Sequence, residues 1–68
     1  MTREESLRLE AYLKQKLNPE IRLAARKETS DSVEVYLGSE FIAVVYKDED
    51  EGEVSYALNM TVLQEDLD

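Results

Sequence analysis

Asp48-Glu49-Asp50-Glu51-Gly52-Glu53 is the densest cluster of chemistry-bearing side chains in the sequence, and its carboxylates suggest a site for a hard cation. A calcium loop needs oxygen donors at its first, third and fifth positions, glycine at the sixth and a bidentate glutamate at the twelfth. Here glycine takes the fifth position and Asn59 the twelfth. The cluster therefore reads as a solvated acidic turn, and no metal is expected.

Other chemistry is limited by what is missing. The chain has no histidine and no cysteine, so the usual general base and thiol nucleophile are absent and Ser-His-Asp and Cys-His arrangements are excluded. Catalysis would rest on carboxylates, lysine or tyrosine. Paired carboxylates of the glycosidase kind need a cleft deeper than so small a domain is expected to form. The two glycines, Gly38 and Gly52, both fit turns and leave none for a phosphate-binding loop. The expectation is a protein that is not an enzyme and holds no cofactor.

The remaining candidates are aromatic. Tyr36 and Phe41, with Arg22 and Arg26 nearby on a neighbouring strand, could stack bases or a flat ligand. A formal charge of −8 and a pI near 4.4 oppose phosphate binding, so nucleic acid is an unlikely partner.

The elements that position these residues can be read from period and punctuation. Thr2-Arg3-Glu4-Glu5 fits a capping box, with the threonine hydroxyl and the Glu5 carboxylate satisfying each other's backbone amides. Leu9, Leu13 and Leu17 follow at spacing four, flanked by Tyr12 and the stem of Lys16, and Asn18-Pro19 ends the run. A helix over 3–17 is predicted. Leu7 and Ala11 lie off its apolar stripe, and Leu7 has no core role.

Four strands follow, over about 20–26, 32–37, 40–47 and 53–63. Gly38-Ser39 suits a type II′ turn, which opposes Leu37 to Glu40, Tyr36 to Phe41, Val35 to Ile42 and Val33 to Val44. A two-residue Glu51-Gly52 loop would set Leu58 against Val45 and Tyr56 against Lys47, which moves the apolar set of the last strand to the wrong side. A three-residue loop, Asp50-Glu51-Gly52 with Gly52 left-handed in a bulge, pairs Tyr46 with Tyr56, Val44 with Leu58 and Ile42 with Met60. With Lys27 to Asp31 as the first loop, Ile21 meets Leu37, Leu23 meets Val35 and Ala25 meets Val33.

These registers agree on one buried face, built from Ile21, Leu23, Ala25, Val33, Val35, Leu37, Ile42, Val44, Tyr46, Val54, Tyr56, Leu58, Met60 and Val62. The predicted architecture is a single α+β domain over 1–68, αββββ in two layers, with one helix on one face of an antiparallel meander and a frayed tail over 64–68. The opposite face then has an apolar centre of Tyr36, Phe41, Ala43, Val45 and Ala57 with Arg22 beside it. Nothing else in the chain covers it. Scattered apolar surface is common, but an opposed aromatic pair amid small apolar residues favours a contact surface.

Charge is unevenly placed. Residues 1–27 hold seven of the eight Lys and Arg and net +3, whereas residues 28–68 net −11. A domain of 68 residues without disulfides folds on a thin margin and is often helped by association. No apolar signal segment and no long apolar run is present, so no membrane association is expected and the default location is cytoplasmic.

The segments Ala11-Tyr12-Leu13, Asp31 to Gly38 (Asp-Ser-Val-Glu-Val-Tyr-Leu-Gly), Glu40-Phe41-Ile42, Asp48-Glu49-Asp50 and Gly52 to Tyr56 (Gly-Glu-Val-Ser-Tyr) resemble a family of very short alphaproteobacterial proteins, domain of unknown function 3126. The likeness spans nearly the whole chain. Ser6 and Lys16 stand where that family tends to have apolar residues, which weakens the stripe. The resemblance implies a bacterial cytoplasmic protein and carries no functional residue across.

The leading expectation is a non-enzymatic interaction module that self-associates as a homodimer through Arg22, Tyr36, Phe41, Ala43, Val45 and Ala57. The alternative is a small ligand or single-stranded nucleic acid on the same face.

Overall fold

The computed structural model describes residues 1–27 and 31–68. The order of elements is α1 (Arg3–Lys16), β1 (Ile21–Ala25), β2 (Ser32–Leu37), β3 (Glu40–Asp50), β4 (Glu53–Asn59) and a short 3₁₀ turn at Gln64–Leu67. One antiparallel sheet in the order β1-β2-β3-β4 carries α1 on one face, which is the α+β architecture that the sequence implies. Among the described residues no helix is long and apolar enough to cross a membrane.

The helix begins where its cap dictates. Thr2 Oγ1 accepts from the Glu5 amide at 3.1 Å, and Glu5 Oε1 accepts from the Thr2 amide at 2.8 Å. Acidic Glu4 and Glu5 at one end and basic Lys14 and Lys16 at the other complement the helix dipole. Leu17 is the C-cap rather than the last helical residue; its amide donates to Leu13 O at 2.8 Å. The Asn18 side chain then accepts from the Glu20 amide at 2.8 Å, which turns the chain across Pro19 into β1.

β1 and β2 pair as expected, Ile21 with Leu37, Leu23 with Val35 and Ala25 with Val33. The loop proposed to join them includes residues 28–30, which lie outside the described residues. The next hairpin also starts as expected: Gly38 has a positive φ of 63°, and Leu37 opposes Glu40 and Tyr36 opposes Phe41.

The register then shifts by one residue. Val35 opposes Ala43 instead of Ile42, Val33 opposes Val45 and Ser32 opposes Tyr46, so Ile42 is the extra residue of a β-bulge. Because successive side chains point to opposite faces, one inserted residue exchanges the two faces of β3 beyond it. Ala43 and Val45, expected on the open face, are instead 3% and 1% exposed beneath α1. Val44 and Tyr46, expected in the core, point the other way, and Ala25, also expected there, is exposed at the end of β1.

The second turn differs in the same sense. Asp50 opposes Glu53, Lys47 opposes Tyr56 and Val45 opposes Leu58, so the loop is the two-residue Glu51-Gly52, not the three-residue Asp50-Glu51-Gly52. Glu51 at φ 52° and Gly52 at φ 83° are both left-handed, as a type I′ turn requires. The bulge and the shorter loop each change the facing by one step, so together they return Val54, Tyr56 and Leu58 to the helix side.

The core is Leu13, Ile21, Val33, Val35, Ala43 and Val45, with Met1, Leu9, Leu23, Leu37 and Ile42 packed against it. Leu13 is the buried residue of the helix, whereas Leu17 and Tyr12 at the ends of the predicted stripe are exposed. α1 packs chiefly over β1, and every residue of β4 is exposed.

Candidate functional site

Two surfaces emerge from this placement. On the face away from α1, the Tyr36 and Phe41 rings meet edge to face, with centroids 5.8 Å apart and planes at 65°. Arg22 opposes Tyr36 across β1 and β2, and its guanidinium donates to Gly38 O at 3.3 Å. Ala57 opposes Tyr46, which is exposed beside half-buried Val44. Arg22, Tyr36, Phe41 and Ala57 thus share the open face. Ala43 and Val45 do not, because the bulge at Ile42 has turned them inward. Tyr36 donates its hydroxyl proton to Glu34 Oε1 at 3.0 Å, and that carboxylate pushes the phenol pKa up.

The second surface lies on the helix side, where α1 stops short of β4. A groove of about 440 Å3 runs between them, lined by Glu5, Arg8, Leu9, Tyr12, Leu13 and Tyr56. Tyr56 is its wall on the β4 side, and on that strand Val54, Tyr56 and Leu58 are between 36% and 50% exposed. Met60, Val62 and Leu63 follow in the chain, all more than half exposed. Apart from Tyr56, which meets Glu5 of α1, these residues are left largely uncovered by the described residues.

Lys47 pairs with Glu5, one of the residues that line the groove. It sits on the inward side of β3, two residues past buried Val45, with its Nζ 2.6 Å from Glu5 Oε2 and 3.3 Å from Glu49 Oε1. The Tyr56 hydroxyl donates to the same Glu5 oxygen at 3.1 Å. Glu5 therefore joins the helix cap to β3 and β4 with both of its oxygens engaged. The Lys47 ammonium, reinforced by the Thr2 amide, holds its carboxyl down at about 2. Lys47 is raised in turn, chiefly by Glu5, and the Tyr56 phenol is raised by burial and by the same carboxylate. A carboxylate lowered this far is a weak general base at neutral pH, and the phenols are shifted away from easy ionisation.

The acidic turn offers no comparable organisation. Asp48, Asp50, Glu51, Glu53 and Ser55 border a shallow polar depression. Among the described residues no group of three or more acidic side chains could hold a metal ion.

The groove is hidden from sequence reasoning because a β3 without a bulge puts Lys47 on the open face with Ala43 and Val45. Its signal was the spacing Ala43, Val45, Lys47 in a strand whose partner helix offers a carboxylate in its first turn. That spacing is informative only once the bulge is known. No curated protein and no solved structure matches the chain. A family model covers nearly its whole length, as the resemblance of its hairpin and acidic turn implies. The chain belongs to the family described as Protein of unknown function (DUF3126), whose model matches residues 5–66.

Proposed function

We propose that the domain is a non-enzymatic protein-interaction module whose contact surface is the helix-side face of β4. The observation that carries this reading is the exposure of Val54, Tyr56 and Leu58 on the helix side of β4, an apolar stripe whose alternation continues in exposed Met60 and Val62 past the end of the strand at Asn59. Residues of this kind normally form a core, and α1 is too far toward β1 to cover them. The ion pair of Glu5 with Lys47 and the hydroxyl of Tyr56 border the stripe, as polar groups border the apolar centre of a protein interface. In this reading the module works in the bacterial cytoplasm, a placement that rests on the likeness of its hairpin and acidic turn to short alphaproteobacterial proteins.

The alternative, a flat ligand or single-stranded nucleic acid on Tyr36 and Phe41, has less support. Glu34 occupies the Tyr36 hydroxyl, and its carboxylate would repel a phosphate approaching the rings. The net charge of −8 adds to this.

A photoreactive phenyl ketone amino acid placed at position 58 or at position 41 in living cells tests the proposal. Protein adducts are expected from position 58 and not from position 41. Adducts from 41 alone would move the contact surface to the opposite face, and none from either would remove it.

A further inference from the structure

The two edges of the sheet are finished differently. β1 is short, follows Pro19, carries Arg22, and has its outward Leu23 amide occupied by Glu10 Oε2 from α1 at 2.9 Å. Those are the devices by which natural sheets blunt an edge. β4 has none of them. From Val54 to Gln64 the chain runs eleven residues without a charge, a proline or a glycine, the longest uncharged run in a sequence that is 35% charged. Among the described residues no side chain caps its backbone.

We propose that β4 pairs antiparallel with β4 of a second copy of this chain, joining two four-stranded sheets into one of eight strands. The proposal rests on the reading of β4 as the contact surface and names the partner. A two-fold axis perpendicular to the sheet makes the two edges antiparallel and keeps both α1 helices on the same side. Directly opposed residues share a face, so the pairing centres on a residue and not between two. The alternation Val54, Tyr56, Leu58 in β4 and Met60, Val62 just after it is itself centred on Leu58, so the proposed pairing extends the strand past Asn59. Placing the axis there opposes Leu58 to its copy, Tyr56 to Met60 and Val54 to Val62, and each of these five residues gains an apolar partner. Centring on Tyr56 would instead set Met60 against Gly52 and Val62 against Asp50.

The stripes of the two copies then form the floor of a trough between the two helices, with the Glu5 and Lys47 pairs along its sides. Both copies bring the half of the chain that nets −11 to the junction, so association strengthens as salt screens these carboxylates.

The absence of native cysteine makes a direct test available. Directly opposed Cβ atoms lie about 4.5 to 5.5 Å apart, near the disulfide range of about 3.5 to 4.5 Å. Leu58→Cys is expected to yield a disulfide-linked dimer on oxidation. Ser55→Cys, whose copies would lie about 20 Å apart along the strands, is not. Sedimentation equilibrium of the full chain at micromolar concentration should give a dimer for the wild type and for Phe41→Ser, and a folded monomer by circular dichroism for Leu58→Lys. A monomeric wild type overturns the second copy, and adducts from position 58 to a different protein would then leave the interaction surface itself standing. Equal cross-linking at 55 and 58, or loss of the dimer in Phe41→Ser with retention in Leu58→Lys, overturns the proposed pairing. If Leu58→Lys does not fold, the two cysteine variants decide.

Discussion

Lys47 and Glu5, 42 positions apart in the chain, meet at 2.6 Å and tie the first turn of α1 to the middle of β3. The pair gives stability a defined pH window. Glu5 is lowered from 4.5 to about 2, so its contribution is complete above the ordinary carboxylate range and is lost as pH falls through the folded value. Lys47 is raised, so its contribution is complete below the ordinary ammonium value and is lost as pH rises through the folded one. Thermal melting of wild type and Glu5→Gln across this range is the check. The wild type should lead by a constant margin near neutrality, and the margin should shrink between about pH 4.5 and 2. Coincident midpoints at neutral pH would mean that the pair does not form in solution.

The Glu51-Gly52 turn makes two predictions of opposite sign. Gly52→Val forces a β-branched residue to φ 83° and should destabilise the domain by about 1 kcal/mol or more. Glu51→Asn supplies the preferred residue for the left-handed first position and removes a charge from an acidic cluster, so its denaturation midpoint should rise. Chemical denaturation measures both. A rise for Gly52→Val would be incompatible with a type I′ turn.

Burial separates two leucines of α1. Leu13 is 8% exposed and Leu7 is 52% exposed. Leu13→Ala should cost about 2 to 5 kcal/mol, comparable to the whole stability of a domain this small, about 3 to 10 kcal/mol. Leu7→Ala should change the midpoint little. Equal losses would place the helix on the sheet in a different rotation.

Deleting Ile42 tests the bulge. The chain then runs from Phe41 directly to Ala43, the ladder closes regularly, and Ala43 and Val45 keep their inward direction. Deleting Val44 instead reverses the residues on one side of it, which sends either the start of β3 or its acidic end to the wrong face. Circular dichroism melts should show a folded protein with some lost stability for the first deletion and an unfolded one for the second.

How legible the fold was depends on how local each signal is. The Thr2 and Glu5 cap, the turn at Gly38 and the pairing of Tyr36 with Phe41 are set by a few neighbouring residues, and the structure has all of them. Ile42 is different: it is an ordinary strand residue by type, and what makes it a bulge is the packing of Ala43 and Val45 under Leu13. With Ile42 taken as paired, Lys47 had to face outward, and the Glu51-Gly52 loop looked wrong because it opposed Leu58 to Val45. Two misplaced steps cancelled, so β4 was assigned its true facing by an incorrect route. Its exposure was not legible, because the lateral position of α1 depends on packing that no pattern in α1 records.

The hydrogen bond from the Leu23 amide to Glu10 bears on how far assembly can proceed. A sheet open at both sides is a monomer unit of valency two, and identical units of that kind polymerise without limit, as in cross-β fibrils. With the Leu23 amide of β1 occupied by a carboxylate from its own helix, the pairing proposed for β4 would give a unit of valency one, and growth would stop at the first addition. Under that proposal Glu10 acts as a chain terminator encoded within the chain, and its side chain separates a closed pair from a filament.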